Sequence, residues 1–358
     1  MNFKIIGKYK PLCNTKYGLL LYKKEGIYLL DGKSESITLV VNIFFSGIKK
    51  FISKFRLGER AMRLYARASI EIDEGALVSF NKSIYYVNIN KKTITKEHTY
   101  RAGMNNPLSF ARIHSINGFE NCIAYGEYTA NPNKEAVAIY ARYNNMWRKV
   151  YEFPTNTIKH IHAIIPDAKN SRVLILTGDD DRESGFWAAY NNFSKVEPLM
   201  VGKQAYRSCT ALPVENGILY ATDTPFEDNY IYFAYEKDGI WINDKLYQIN
   251  GPCIFNVHNH DRLIISTSVE PPADINGIRY LLSRKVAPGI KKRETQVVIG
   301  NKEGGFKVIA RFKKDFFPMA LFEFGNVIMV DGSDNTIYLY PVSVKKFDGK
   351  LLKVNLEG

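Results

Sequence analysis

The feature that most constrains this chain is a recurrence. A short β-branched or aromatic run, a polar turn and a second such run return roughly every 50 residues. The clearest copy is residues 157–181, TIKHIHAIIPDAKNSRVLILTGDDD. Its two apolar runs, 158–165 and 173–177, are too short for ordinary helices and are expected as strands. The intervening PDAKNS is built from turn formers. On a strand, His160 and His162 face the same way. If the two strands pair antiparallel, the start of the first lies beside the end of the second, and both histidines come near Asp179.

Six further units share this plan. Each is expected to have an inner strand, a second strand ending in a polar or acidic residue, a Tyr/Ile-rich third strand and a charged fourth. Unit one (11–41) contains GLLLYK, GIYLLD and ITLVV. Unit two (68–98) contains ASIEIDEG, ALVSFN, SIYYVNIN and TITKEH. Unit three (107–153) contains FARIHSI, CIAYGEY, AVAIYARY and WRKVYEF. Unit four opens with 157–181 and continues with GFWAAYNN and KVEPLMV. Unit five starts at Tyr206 with RSCTALP, GILYATDTP and NYIYFAYEKDG, and a fourth strand follows Trp241. Unit six starts near Pro252 and carries a Lys/Arg-rich insertion, 273–294, between its second and third strands. Unit seven starts near Pro318 with MALFEFGN as its first strand, then VIMVDG and TIYLYPV, and KLLKVNL closes the chain.

Seven four-stranded units predict an all-β fold, a seven-bladed β-propeller spanning 1–358 as a single domain. Six blades is the alternative, because the first strand of unit one is the poorest, and a pair of β-sandwiches ranks third. Residues 47–67 are expected to form a short basic amphipathic helix over a sheet edge, charges outward, with docking to a membrane surface as the functional alternative.

Composition narrows the partners. No apolar run approaches the roughly 20 residues of a membrane-spanning helix. The start MNFKIIGKYKPLC has no signal-peptide core. Cys13, Cys122, Cys209 and Cys253 are scattered without a CxxC, so reduced thiols and a cytoplasmic location are expected. Forty-nine basic against 36 acidic residues give a net charge of +13, which suits an anionic partner. With no recognition helix, RNP motif, zinc module, P-loop or GxGxxG, neither nucleic acid nor a cofactor is expected.

Four connections between third and fourth strands are informative: YNNMWRKV (143–150), YNNFSKV (190–196), EKDGIW (236–241) and NKEGGFKV (301–308). They resemble the Asp-box turn, Ser-x-Asp-x-Gly-x-x-Trp. Asp238-Gly239 followed by Trp241 is the nearest copy, and Trp147 marks another. On these turns the chain resembles the BNR/Asp-box propellers, the superfamily that includes sialidases, over residues 105–310. The run HIH…TGDDD…YRS…ATDTP…NYIY is also similar to uncharacterised propeller proteins of bacterial surface-polysaccharide gene clusters. That resemblance implies a glycan context. Arg112, Arg207 and Tyr230 match sialidase-type roles, but no third arginine or Tyr–Glu pair is found, so a true sialidase is not expected.

In a propeller, inner-strand starts and second-strand ends open onto one face. The starts contribute Arg67, Arg112, His114, His160, His162 and Arg207. The ends contribute Glu127, Asp179, Asp223 and Glu270. Such a rim suits an acidic oligo- or polysaccharide, with Tyr128 or Tyr206 stacking on sugar rings. A lyase would use His160 or His162 as base, with Arg207 or Arg112 neutralising the uronate. A hydrolase would use Glu127 and Asp179. The plain alternative is a ring of salt bridges and turn caps. His160 and His162 show no evident third ligand, so no metal is expected. His258 and His260 are expected at the surface. A non-catalytic scaffold in polysaccharide biosynthesis, docking a partner protein through 47–67 or 273–294, is the competing function.

Overall fold

The structure, a computed structural model, describes residues 3–24, 26–43, 51–259, 261–332 and 335–356. They form seven four-stranded antiparallel sheets, a seven-bladed propeller. Blade one is β2–β5 (Lys10–Thr15, Gly18–Lys23, Gly26–Leu30, Ile37–Asn42). Blade two is β6–β9 (Ser69–Ile72, Gly75–Phe80, Ser83–Asn88, Thr93–Thr99). Blade three is β10–β13 (Ala111–Ile113, Cys122–Gly126, Val137–Tyr143, Met146–Phe153). Blade four is β14–β17 (His160–Asp167, Arg172–Gly178, Gly185–Tyr190, Lys195–Val201). Blade five is β18–β21 (Ser208–Val214, Gly217–Thr222, Asn229–Lys237, Ile240–Ile249). Blade six is β22–β25 (Cys253–Asn259, Arg262–Thr267, Glu294–Asn301, Gly305–Lys313). Blade seven is β26–β28 (Asn326–Asp331, Thr336–Val342, Leu351–Asn355).

Blade seven takes its outer strand from the other end of the chain. β1 (Lys4–Gly7) pairs antiparallel with β28 and clasps the ring. The expected order of unit seven is corrected accordingly. MALFEFGN is not a strand; it contains a short helix, Met319–Phe322, whose Met319 is buried with Val269, Ala287 and Ile290. Every strand of that unit moves inward by one place, and KIIG, too short to register as a strand by itself, fills the vacated edge.

The core is divided among the blade interfaces. On β3, Leu20 and Tyr22 pack with Ala76 and Val78 of blade two, whereas Leu19 and Leu21 pack with Tyr338 and Leu351 of blade seven. Successive side chains point to opposite faces, and both faces of a blade are covered. The second strands therefore read as unbroken apolar runs rather than alternating ones. Similar clusters join blades two and three, three and four, four and five, five and six, and six and seven.

The basic segment departs in part from the expected polarity: Lys54, Arg63 and Arg67 face outward, but Arg60 does not. Residues 47–50 lie outside the described part. The helix Arg56–Met62 turns Arg60 inward, where it is 2% exposed and pairs with Asp315 at 2.9 Å. Phe51, Phe55, Leu57 and Met62 are exposed instead. Gly58 sits within this helix because Ile52 closes on it; an added Cβ would lie 2.6 Å from the Ile52 carbonyl oxygen.

The turns likened to Asp-boxes do connect third and fourth strands. Asn144-Asn145 and Asp238-Gly239 are two-residue hairpins with positive φ at both central positions. Asn and Gly tolerate that region, and it suits the strand twist.

Candidate functional site

The first strands β2, β14, β18, β22 and β26 pack side by side around the axis. Three of them carry a β-bulge at the same place. The ladder skips His162 on β14, Cys209 on β18 and Ile254 on β22. A bulge re-aims its extra residue, and all three line one axial cavity of about 720 Å³. His160, two residues before the bulge, pairs with Gly178 at the end of β15. Gly178 has to be glycine here, since a Cβ would lie 2.6 Å from His162 Cε1.

The imidazole geometry is specific. His160 Nδ1 lies 2.7 Å from the Thr129 carbonyl oxygen, and His162 Nδ1 lies 3.1 Å from that of Ser208. A carbonyl only accepts, so both Nδ1 atoms carry the proton and donate. The two Nε2 atoms then face each other at 3.0 Å. Asp179 Oδ1 is 3.5 Å from each. Arg207 Nη2 forms an ion pair with the same oxygen at 2.9 Å, and Nη1 donates to the Asp179 backbone carbonyl at 3.0 Å. Burial raises the Asp179 carboxyl, yet it is held well below the usual range, with the Arg207 guanidinium among the causes. Burial lowers His162.

The next carboxylate behaves differently. Asp223 is fully buried, and burial pushes it up to about 8 despite Arg207 nearby. It accepts from the Cys209 thiol at 3.1 Å, and burial raises Cys209 well above its ordinary value. Burial also raises Glu270.

The wall formed by blades one and seven holds two groups, Lys10 and Glu323, that the sequence pattern did not single out. Lys10, the first residue of β2, is 5% exposed and donates to the Ala66 carbonyl at 2.6 Å. Burial drops its amine to about 7, against the pull of Glu323. Burial raises Glu323 to about 7 despite Arg56, Lys10 and Arg63. Arg63 and Arg67 also line the cavity, both exposed and with no carboxylate within ion-pair distance among the described residues. Arg207 Nε and Glu323 Oε2 are buried polar atoms without a hydrogen-bond partner. Such atoms in a cavity wall are places for a ligand to bond.

Of the residues singled out from sequence, Arg67, His162, Asp179, Arg207, Asp223, Glu270 and Tyr128 line this cavity. His160 stands behind them, its ring 4.5 Å from that of Tyr128. Others are elsewhere. Glu127 is buried in a structural pair, accepting from Arg101 at 2.6 and 3.1 Å and from the Ala138 amide at 2.8 Å. With Glu127 committed to its own blade, the Glu127–Asp179 hydrolase pair does not assemble. Arg112 lines a second cavity of about 620 Å³, reached along the same first strands toward Asp167 and His258. It is the odd residue out because β10 is only three residues long. Tyr230 sits on a third strand beneath Lys245, at 4.2 Å. His114 is exposed and bonds Ser115. His258 is half-buried rather than on the surface, and His260 lies outside the described residues. A signal for Lys10 exists in the chain: it begins an inner strand as His160 does, one residue before the start expected for unit one.

No protein-family model matches the chain, and no curated protein matches it. The Asp-box likeness therefore rests on the turn residues alone. Among solved structures, an oligogalacturonate lyase in complex with manganese superposes with a TM-score of 0.55 at 10% identity, covering 96% of this chain and 87% of the other. A mitotic checkpoint complex chain gives 0.55 at 8% identity, with 97% and 89% covered. The AfRom2 CNH domain gives 0.53 at 10% identity, with 98% of both covered. At such identities the likeness is one of fold, and what this chain shares with all three is the propeller.

Proposed function

We propose that the axial cavity binds an anionic sugar unit and that the protein is a lyase acting on an acidic bacterial surface polysaccharide or its precursor. The observation that carries this reading is the placement of Lys10 and Glu323 in one cavity wall with two arginines, Arg63 and Arg67, that make no ion pair within 4.0 Å among the described residues. β-Elimination needs a base near neutral pH, an acid and a cation for the uronate. Arg63 and Arg67 hold the carboxylate. Lys10, as the free amine, takes the proton from the carbon beside it. The C–O bond to the leaving sugar breaks, Glu323 gives its proton to that oxygen, and a carbon–carbon double bond remains in the ring. In this reading His160 and His162 are not the base, because their Nε2 lone pairs face each other. The neighbouring oligogalacturonate lyase fold is compatible with this chemistry.

The test is incubation with a panel of uronate-containing and sialylated oligosaccharides, following unsaturated-uronate absorbance and reducing ends. Turnover that follows a bell-shaped pH profile centred near 7, its acid limb set by the freeing of Lys10 and its alkaline limb by loss of the Glu323 proton, and that disappears in Lys10→Met supports the reading. Absence of both binding and turnover on every acidic glycan overturns it.

One observation favours a second reading, a docking scaffold for an enzyme of polysaccharide assembly. Phe51, Phe55 and Met62 are exposed, Met62 at the cavity wall, and so are Ile278 (73%) and Leu282 (55%) of the helix Gly277–Leu282. Ile278→Ser with Leu282→Ser should release such a partner while leaving sugar binding intact. Unchanged co-purification would remove the idea.

A further inference from the structure

The two histidines pose a problem that Arg207, paired with Asp179, solves only in part. With both Nδ1 atoms protonated, each neutral ring has its lone pair on Nε2. Those lone pairs converge at 3.0 Å, and a carboxylate oxygen stands 3.5 Å from both. Three electron-rich atoms aimed at one point, deep in the protein, repel unless a positive charge sits among them.

We propose that His160 Nε2, His162 Nε2 and Asp179 Oδ1 bind a divalent transition-metal ion. The triangle they form, with sides of 3.0, 3.5 and 3.5 Å, has a circumradius of about 1.9 Å. A point about 2.1 Å from all three atoms, the ordinary metal–nitrogen and metal–oxygen length, therefore exists about 0.8 Å off their plane. The ligands need no movement to close on an ion. Two imidazoles and one carboxylate on one face suit zinc, cobalt, iron or manganese and leave coordination positions open. Outer partners of the kind that orient metal ligands are in place. Thr129 and Ser208 carbonyls fix both tautomers, and Arg207 holds the Asp179 carboxylate from the side. That arrangement, histidine N–H to carbonyl and carboxylate bonded in turn, is the usual support of a metal site. Gly178 keeps the space beside His162 clear. His162 and Asp179 both line the axial cavity, so the open positions face whatever the cavity holds. Placing the ion beside an anionic sugar rests on the function proposed above; the binding of the ion does not.

The alternative source of positive charge is a single proton shared by the rings. The experiment separates the two. The protein is stripped with a chelator, dialysed, and titrated with Co²⁺, Zn²⁺ and Mn²⁺ separately by calorimetry at about pH 8, above the ordinary imidazole pKa. Co²⁺ binding is also followed by visible absorption. The expected result is one equivalent bound and a Co²⁺ ligand-field band. The melting temperature should rise with ion concentration. Binding should weaken by about 100-fold or more in His162→Asn and in Asp179→Asn. The melting shift of the unaltered protein reports the site even if a variant folds poorly. Sub-stoichiometric binding of all three ions, or affinity unchanged in Asp179→Asn, overturns the proposal in favour of the shared proton. Because no sugar is present, failure here leaves the acidic-sugar reading standing, and failure of the glycan panel leaves the ion site standing.

Discussion

Replacing Lys10 by Met tests the reasoning about the cavity most directly. Lys10 is 5% exposed, and its amine drops from an ordinary 10.5 to about 7 in the fold. Above pH 10.5 the amine is neutral in both folded and unfolded chains and costs nothing. As pH falls from 10.5 to 7, the unfolded chain takes up the proton and the folded one does not. Stability then drops by up to about 1.4 kcal/mol per pH unit. Below 7 both are protonated, and the full cost persists. Three and a half units set a ceiling of about 5 kcal/mol, and water penetration brings the expectation to about 2–5 kcal/mol. Lys10→Met removes this pH-dependent penalty while keeping the side-chain volume over Tyr65. It also leaves the Ala66 carbonyl unpaired, at a pH-independent cost of about 1–3 kcal/mol. The signature is therefore a slope rather than an offset. Urea unfolding of both proteins at about pH 6.5, 8 and 9.5 should show the variant gaining on the parent at low pH, with the gap closing as pH rises. Parallel stabilities across that range would show that Lys10 stays charged in the fold, and the assignment of Lys10 as base would fall with it.

Other perturbations are read more briefly. Glu127→Ala should cost about 2–4 kcal/mol by urea unfolding, since it strips Arg101 and a buried amide of their acceptor. Its turnover at a temperature where it stays folded should match the parent, and a selective loss of turnover would return Glu127 to the site. Deleting residues 1–8 should bare the edge of β28 and promote self-association by light scattering, together with a lower melting temperature. An unchanged size and melting temperature would mean that the clasp is dispensable. Gly178→Ala should cost about 1–3 kcal/mol through overpacking against His162 and should displace that ring, visible as shifted imidazole resonances. Unmoved resonances would contradict the close approach.

Much of this protein is set by local pattern. β-branched and aromatic runs separated by Asn, Asp and Gly turns specify strands and hairpins, and their repetition specifies a ring, because a blade buries neither face alone. His160, His162 and Asp179 could be placed together from that pattern, since pairing two adjacent strands antiparallel brings the start of one to the end of the next. What the pattern could not carry was anything between distant segments. KIIG becomes a strand only because β28, at the far end of the chain, offers it an edge. The helix Arg56–Met62 turns its arginine inward because Asp315 waits there, overriding its amphipathic pattern. The titration of Lys10 and Glu323 exists only where blades one and seven meet, since desolvation depends on what surrounds a group in space. The facing of the two Nε2 atoms depends on a bulge at His162 and on two carbonyls, Thr129 and Ser208, from blades three and five. Local residue order sets the strands and their repeat; the closure of the ring alone decides which charges lose their water and which lone pairs meet.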